Sequence, residues 1–344
     1  MEQGALLLTE GRYHTSDAKT AHGLVRGPSR WKILGLVDEH SAGAEAGTLL
    51  DGRDRGIPIF ATLEEALQRL PQRPEWCVVG VATHGGRFPP SLRANLRAAA
   101  RAGLGIVNGL HELAGDDPEI TAHAPAIHDV RRPRPVRELA FWHGEAHKLA
   151  IPRVAVIGTD CALGKRTTTQ LLVAECRRRG IPAEMIYTGQ TGWMQGGRYG
   201  FVLDSTPNDF VPGELERAVV QCAREAAPRV IFLEGQSALR NPSGPCGAEL
   251  IVSVGARQVV LQHAPGRTHY DGAEELGIAI PSVPEEIELL RFYRTEVAAV
   301  TINTEGLTIR AAQDFARELE RTIGRPVVLP LTEGVGRVVD ALRL

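Results

Sequence analysis

The stretch that decides the fold is Val154-Ala155-Val156-Ile157-Gly158-Thr159-Asp160-Cys161-Ala162-Leu163-Gly164-Lys165-Arg166-Thr167-Thr168-Thr169. Its apolar opening, mostly β-branched, predicts a buried strand. The strand breaks at a glycine, crosses a loop bounded by Gly158 and Gly164, and resumes as a helix that opens on hydroxyl side chains. Glycines let backbone N–H groups converge on phosphate oxygens, and the helix N-terminus adds partial positive charge. Lys165 then supplies a point charge for the terminal phosphates. It is one of only four lysines (Lys19, Lys32, Lys148 and Lys165) among 39 basic residues. Two features depart from the usual pattern, which has four residues between the glycines and a metal-binding Ser or Thr directly after the lysine. Here five residues intervene, Thr159 to Leu163, and Arg166 stands at the hydroxyl position. Binding of an anionic, phosphate-bearing ligand follows from this pattern. Hydrolysis of a Mg²⁺-nucleotide does not, because arginine cannot ligate a metal.

Outward from this loop the chain alternates apolar runs with amphipathic stretches, the mark of a mostly parallel sheet covered by helices. After Pro152 strands are expected at Arg153–Ile157, Ala183–Tyr187, Arg229–Leu233, Gln258–Leu261, Ala298–Ile302 and Pro326–Leu329. Helices are expected at Lys165–Arg179, Gly213–Ala226, Glu285–Arg294 and Ile309–Thr322. Before it, strands at Ala5–Leu8, Lys32–Val37, Trp76–Ala82 and Gly105–Asn108, with helices at Thr62–Arg69 and Ser91–Ala102, predict a small Rossmann-like half-unit. The prolines at 118, 133 and 135 favour extended chain. The expected layout is an α/β protein with a Rossmann-like domain at 1–114, an inter-domain segment at 115–150 and a phosphate-loop domain at 151–344.

The 344 residues are 43% hydrophobic and 23% charged, with net charge −2. That balance argues against a broad electrostatic nucleic-acid partner. Without a run of eighteen apolar residues, no membrane-spanning helix is expected. The opening Met1-Glu2-Gln3-Gly4-Ala5 lacks a basic n-region, and the apolar run Ala5–Leu8 is short for a signal peptide. The five cysteines form no CxxC pair, so a reducing cytoplasm is expected rather than a disulfide framework. A small-molecule substrate is the expected partner, and homo-oligomerisation is the general expectation for an enzyme of this class.

The loop itself resembles that of the dethiobiotin-synthetase branch of phosphate-loop proteins. The full set of marks is more particular: the loop followed by Thr167-Thr168, then Tyr187-Thr188-Gly189-Gln190-Thr191-Gly192, Asp209-Phe210-Val211, Glu234-Gly235-Gln236-Ser237 and Pro265-Gly266-Arg267. Leu8-Thr9-Glu10-Gly11 and Ala18-Lys19-Thr20-Ala21 add to it in the first domain. This set resembles the two-domain family long labelled as of unknown function and now associated with D-glutamate N-acetyltransferase activity. The resemblance covers nearly the whole chain. It implies a Rossmann-like first domain, a P-loop NTPase-like second domain, and acetyl transfer from acetyl-CoA to the amine of D-glutamate. Two alternatives stay open at this stage. One is an ATP- and Mg²⁺-dependent carboxylate-activating ligase of the dethiobiotin-synthetase type; the other is a non-catalytic nucleotide- or CoA-binding regulatory protein.

The candidate site residues follow from position. Gly158, Thr159, Asp160, Cys161, Ala162, Leu163, Gly164, Lys165, Arg166 and Thr167 form the cofactor loop. Gln190 and Thr191 follow a strand, where α/β proteins bind ligands, and are expected to contact cofactor or substrate. Glu234 ends a strand beside the loop and is a candidate to take the proton of the attacking amine. His263, just after another strand, is a second candidate base because its ordinary pKa lies near neutrality. Lys165 completes the catalytic set as an oxyanion partner. Arg267 and Arg240 are the candidate ligands for substrate carboxylates. No metal site is expected, since His143 and His147 lack a third ligand nearby. Asp38 follows the second strand, where a ribose-binding acid would stand. The GxGxxG that NAD binding requires is missing.

Overall fold

The protein is described here by a computed structural model over residues 3–344, the side chain of His84 excepted; Met1 and Glu2 of the opening lie outside the described residues. It divides into two compact units. The first holds residues up to Arg134 together with Gln190–Gly196, and the second holds Pro135–Gly189 and Gly197–Leu344. The segment expected between domains therefore divides at Arg134. Its earlier part forms the helix Pro118–His123 and an edge strand of the first sheet, while the later part belongs with the second unit.

The first unit carries six strands: β1 (Gly4–Leu8), β2 (Lys32–Val37), β3 (Ile59–Phe60), β4 (Trp76–Val79), β5 (Gly105–Asn108) and β6 (Ile127–Asp129). They pair in parallel in the order β3-β2-β1-β4-β5-β6. This is the full strand order of a dinucleotide-binding sheet rather than a half-unit. Side-chain alternation explains the layering. In β1, Leu6 and Leu8 enter the core with Leu92 and Leu96, whereas Ala5 and Leu7 enter the opposite core with Leu24 and Val25. Asp38, at the end of β2, is fully buried and spoken for. It accepts from the Thr9 hydroxyl at 2.7 Å, the Tyr13 N–H at 2.9 Å and the Ser41 N–H at 3.0 Å. The carboxylate pins the loop after β1 instead of standing open to a ribose.

The second unit carries β7 (Arg153–Gly158), β8 (Ala183–Tyr187), β9 (Tyr199–Gly200), β10 (Val230–Glu234), β11 (Gln258–His263), β12 (Glu296–Ile302) and β13 (Val327–Val328). These strands are parallel in the order β13-β12-β11-β7-β10-β8-β9. The same alternation splits β7 between two cores. Val154 and Val156 pack with Leu172 and Cys176 of the helix Lys165–Arg178, and Ala155 and Ile157 pack with Leu215 and Val219 of the helix Val211–Ala226. Burial on both faces is why β7 and β10 read as continuous apolar runs. Among the described residues no helix is long and apolar enough to cross a membrane.

The segment after Pro135 is fastened to the helix Val211–Ala226 by two buried glutamates. Glu214 accepts from the Ala140 N–H at 2.7 Å, and Glu216 accepts from the N–H groups of His143 at 2.7 Å and Ala146 at 3.1 Å. The approach is so close that a Cβ at Gly213 would lie 2.1 Å from the Ala140 carbonyl oxygen. Alanine ordinarily stabilises a helix interior relative to glycine. Here Gly213→Ala is expected to do the opposite, lowering the stability of the second unit by about 1–3 kcal/mol through overpacking against backbone. Thermal unfolding compared with the parent chain checks the sign.

Candidate functional site

β7 ends at Gly158 and the next helix starts at Lys165, so the loop between them lies at the carboxyl edge of the second sheet. Two of its residues take the left-handed region, Ala162 at φ +51° and Gly164 at φ +92°. That conformation is costless only for glycine, so at Ala162 the surroundings must impose it. They do so chiefly through Asp160. Its buried carboxylate accepts from the Cys161 N–H at 2.6 Å, the Asp271 N–H at 2.9 Å, Asn241 Nδ2 at 3.1 Å and Arg267 Nη1 at 3.3 Å. Arg267 reaches on to the Cys161 carbonyl at 3.0 Å and to Glu305 at 2.6 Å. On the other flank the Thr159 N–H donates to the Gln262 carbonyl at 3.0 Å, and Asn303 Nδ2 donates to the Leu163 carbonyl at 3.1 Å.

Lys165 is buried at the centre of this frame. Its Nζ donates to the carbonyls of Asp160 at 2.6 Å and Ser237 at 2.8 Å. Burial pulls its pKa down to about 8, against the pull of neighbouring acidic groups that include Asp160 and Glu234. The ammonium therefore stays mostly charged at neutral pH. Ser237 reaches it because the chain leaves β10 tightly against β7. A Cβ at Gly235 would stand 2.4 Å from the Val156 carbonyl oxygen, so only glycine fits there.

Glu234, the last residue of β10, is buried beside the start of the same helix. Its Oε1 lies 3.6 Å from Arg166 Nη1, and its Oε2 accepts from the Thr188 N–H at 3.2 Å. Burial pushes its pKa above the ordinary carboxylate value, with Arg166, the Thr188 N–H and Lys165 opposing that shift. His263 moves the other way. Its Nδ1 lies 2.9 Å from the Thr159 hydroxyl, and burial lowers its pKa to about 4. The imidazole is thus neutral at pH 7 and a poor proton acceptor there, since a general base works best with a pKa near the operating pH. The near-neutral pKa that nominates it from sequence is not retained in the fold.

The remaining nominees have the following surroundings. Gln190 and Thr191 belong to the first unit, where they open the short helix Gln190–Met194. The Thr191 hydroxyl lies 3.0 Å from that of Thr20, and Gln195 Nε2 donates to the Gly23 carbonyl at 2.8 Å. Of that motif, Thr188 meets Glu234. Arg267 braces the loop, as described, and Arg240 Nε pairs with the buried Glu286 at 2.7 Å. Six residues of the frame were not nominated for the site from sequence: Ser237, Asn241, Gln262, Asp271, Asn303 and Glu305. Ser237 and Gln262 sit at or just beyond strand ends, which is a usable signal. Asn303, directly after β12, carries the same signal, whereas Asn241 and Glu305 come from loops with no local cue. A separate groove of about 510 Å³ runs along the helix Val211–Ala226, lined by Phe141, His143 and Arg217 among others and by no residue of the phosphate loop.

The C-terminal P-loop domain of the domain-of-unknown-function family DUF1611 matches residues 140–339, and that family's N-terminal Rossmann-like domain matches residues 39–133. Two curated relatives are named D-glutamate N-acetyltransferase. The one from Tritonibacter scottomollicae is 32% identical over 77% of this chain and 80% of its own. The one from a Pseudoalteromonas species is 30% identical over the same shares. A crystal structure of a DUF1611 family protein from Anabaena variabilis superposes with a TM-score of 0.90, at 30% identity, over 98% of both chains.

The histidine shift fixes a pH dependence. A group whose folded pKa lies below its unfolded value of 6.5 takes up its proton first in the unfolded chain, so acid favours unfolding. His263 is therefore expected to cost about 3 kcal/mol of stability as the pH falls from about 6.5 through about 4. Denaturant melts of the parent and His263→Gln across that range check it, with the variant losing less stability on acidification.

Proposed function

Because the chain belongs to the DUF1611 family, we propose that it is an N-acetyltransferase that moves an acetyl group from acetyl-CoA to the amine of D-glutamate. The observation that carries this reading is the meeting of a buried lysine-bearing phosphate loop with a buried carboxylate whose pKa is pushed up, Lys165 and Glu234. The names of the two relatives support the donor–acceptor pair.

In this reading the amides of the loop and Lys165 hold phosphates of the CoA moiety. The amine of the acceptor must lose a proton to become a nucleophile, and Glu234 takes it. The amine nitrogen then attacks the thioester carbonyl, forming the C–N bond. The resulting oxyanion needs donors of its own, worth about 3 kcal/mol per good donor, because the pantetheine arm separates the thioester from the phosphates that Lys165 and the loop hold. The intermediate collapses with loss of the C–S bond, the nitrogen gives up its second proton to leave a neutral amide, and the departing CoA thiolate takes that proton. Arg240 is the nominee for an acceptor carboxylate, because its side chain is 36% exposed and pairs with Glu286 through Nε. Arg267 serves the cofactor instead, by holding Asp160 and the Cys161 carbonyl in place.

Acetyl-CoA with D-glutamate is expected to release free thiol in the presence of the folded protein, followed with a thiol reagent; no release with either glutamate enantiomer contradicts the activity. Lys165→Ala is expected to raise the Kd for coenzyme A by a factor on the order of 10–100, the worth of one charged hydrogen-bond partner, as read by calorimetry. Glu234→Gln, assayed at saturating acetyl-CoA, is expected to slow thiol release by about 10²–10⁴.

A further inference from the structure

In a phosphate loop that works with Mg²⁺, the residue after the lysine gives its hydroxyl to the metal, and an acidic residue at a neighbouring strand end completes the charge balance. This chain keeps the acidic residue, Glu234 at the end of β10, and puts Arg166 in the hydroxyl position. The two are joined, Arg166 Nη1 standing 3.6 Å from Glu234 Oε1, with the guanidinium-bearing side chain 21% exposed and the carboxylate 5% exposed. Lys165 is close enough to interact electrostatically with Glu234 as well. The other hydroxyls at the helix start do not replace the missing one. Thr168 donates to Gln262 Oε1 at 2.6 Å, an atom that also accepts from Thr301 at 2.7 Å, and Thr169 donates to the Lys165 carbonyl at 2.8 Å. Thr167 lies about 100° further round the helix than the residue after the lysine.

A guanidinium has no lone pair for a metal, and a divalent cation placed beside it meets like charge. It has instead a planar fork of N–H donors that fits two phosphate oxygens at once. We propose that the Arg166–Glu234 ion pair takes the place of the divalent cation in this loop, so that the loop grips a phosphate-bearing ligand without a metal ion. This rests on the phosphate-loop reading above and says how the ligand's charge is met: by a tethered guanidinium, with Glu234 holding it at the mouth of the helix.

The test is calorimetric titration of the full chain with coenzyme A and, separately, with ADP, each in Mg²⁺ and in EDTA. The expected result is a Kd that agrees within about twofold between the two buffers for whichever probe binds. Binding that needs Mg²⁺, or tightens about tenfold with it, overturns the proposal and leaves the acetyltransferase reading standing. No binding of either probe in either buffer overturns both. Metal-independent binding with no thiol release from acetyl-CoA and D-glutamate supports the proposal and contradicts the activity alone. Arg166→Thr restores the hydroxyl. Its affinity in EDTA is expected to fall by about tenfold or more whether or not Mg²⁺ recovers it, and an unchanged affinity overturns the proposal. If the threonine variant does not fold, Arg166→Lys keeps the charge without the fork; it is expected to bind more weakly than the parent and equally in both buffers, and tightening with Mg²⁺ overturns the proposal.

Discussion

A carboxylate buried inside a loop tolerates no neglect: every oxygen lone pair taken from water must be met by a donor, or the charge costs several kcal/mol. Asp160 meets that demand with four donors drawn from its own neighbour, from Asn241, from Arg267 and from the backbone at Asp271. Those donors lie up to 111 residues away in sequence, so satisfying one side chain gathers two other loops, those after β10 and β11, around the end of β7. The left-handed turn at Ala162 and the inward course of the Lys165 side chain follow from that gathering. The Asp160 carbonyl is itself one of the two acceptors that hold the ammonium.

The electrostatics of the site then have a consistent sense. Lys165 and Arg166 bring two positive charges to the helix start, where the helix dipole is also positive. Glu234 opposes them, and Arg267 lies between Asp160 and Glu305, so the named charges balance and the pull on an anion rests on the local placing of the two cations with the helix dipole and the loop N–H groups. His263 contributes no charge at neutral pH, because burial holds it neutral against the Thr159 hydroxyl. In the proposed reading the loop takes the cofactor's phosphates and Glu234 takes the proton.

Much of this was legible in the sequence, for reasons that can be named. The strands β7 and β10 are short, largely apolar runs buried on both faces, so their composition alone announces them, and Gly158, Gly164 and Lys165 mark the loop by their chemistry. The two-residue strands β3 and β9 are too short for any periodicity to register, and β6 lies among prolines that pointed to extended linker. The helix Lys19–Arg26 went unread because Gly23 interrupts its pattern. At the site, the strand-end position of Glu234 was readable because position on a parallel sheet follows from strand order. The engagement of Arg267 was not, because its partner Asp160 lies 107 residues earlier and only the fold brings them together. The same holds for His263, whose pKa is set by burial, and for Thr191, whose hydroxyl meets Thr20 across 171 residues.

We propose that the turn from Thr159 to Lys165 is a cradle for the phosphates of a cofactor. It is tested most directly by a crystal structure of the protein soaked with acetyl-CoA. The account predicts phosphate oxygens within hydrogen-bond distance of the loop N–H groups, with Lys165 Nζ turned from the Asp160 and Ser237 carbonyls towards them. An acetyl-CoA molecule bound elsewhere, with Lys165 still held by those two carbonyls, would contradict it.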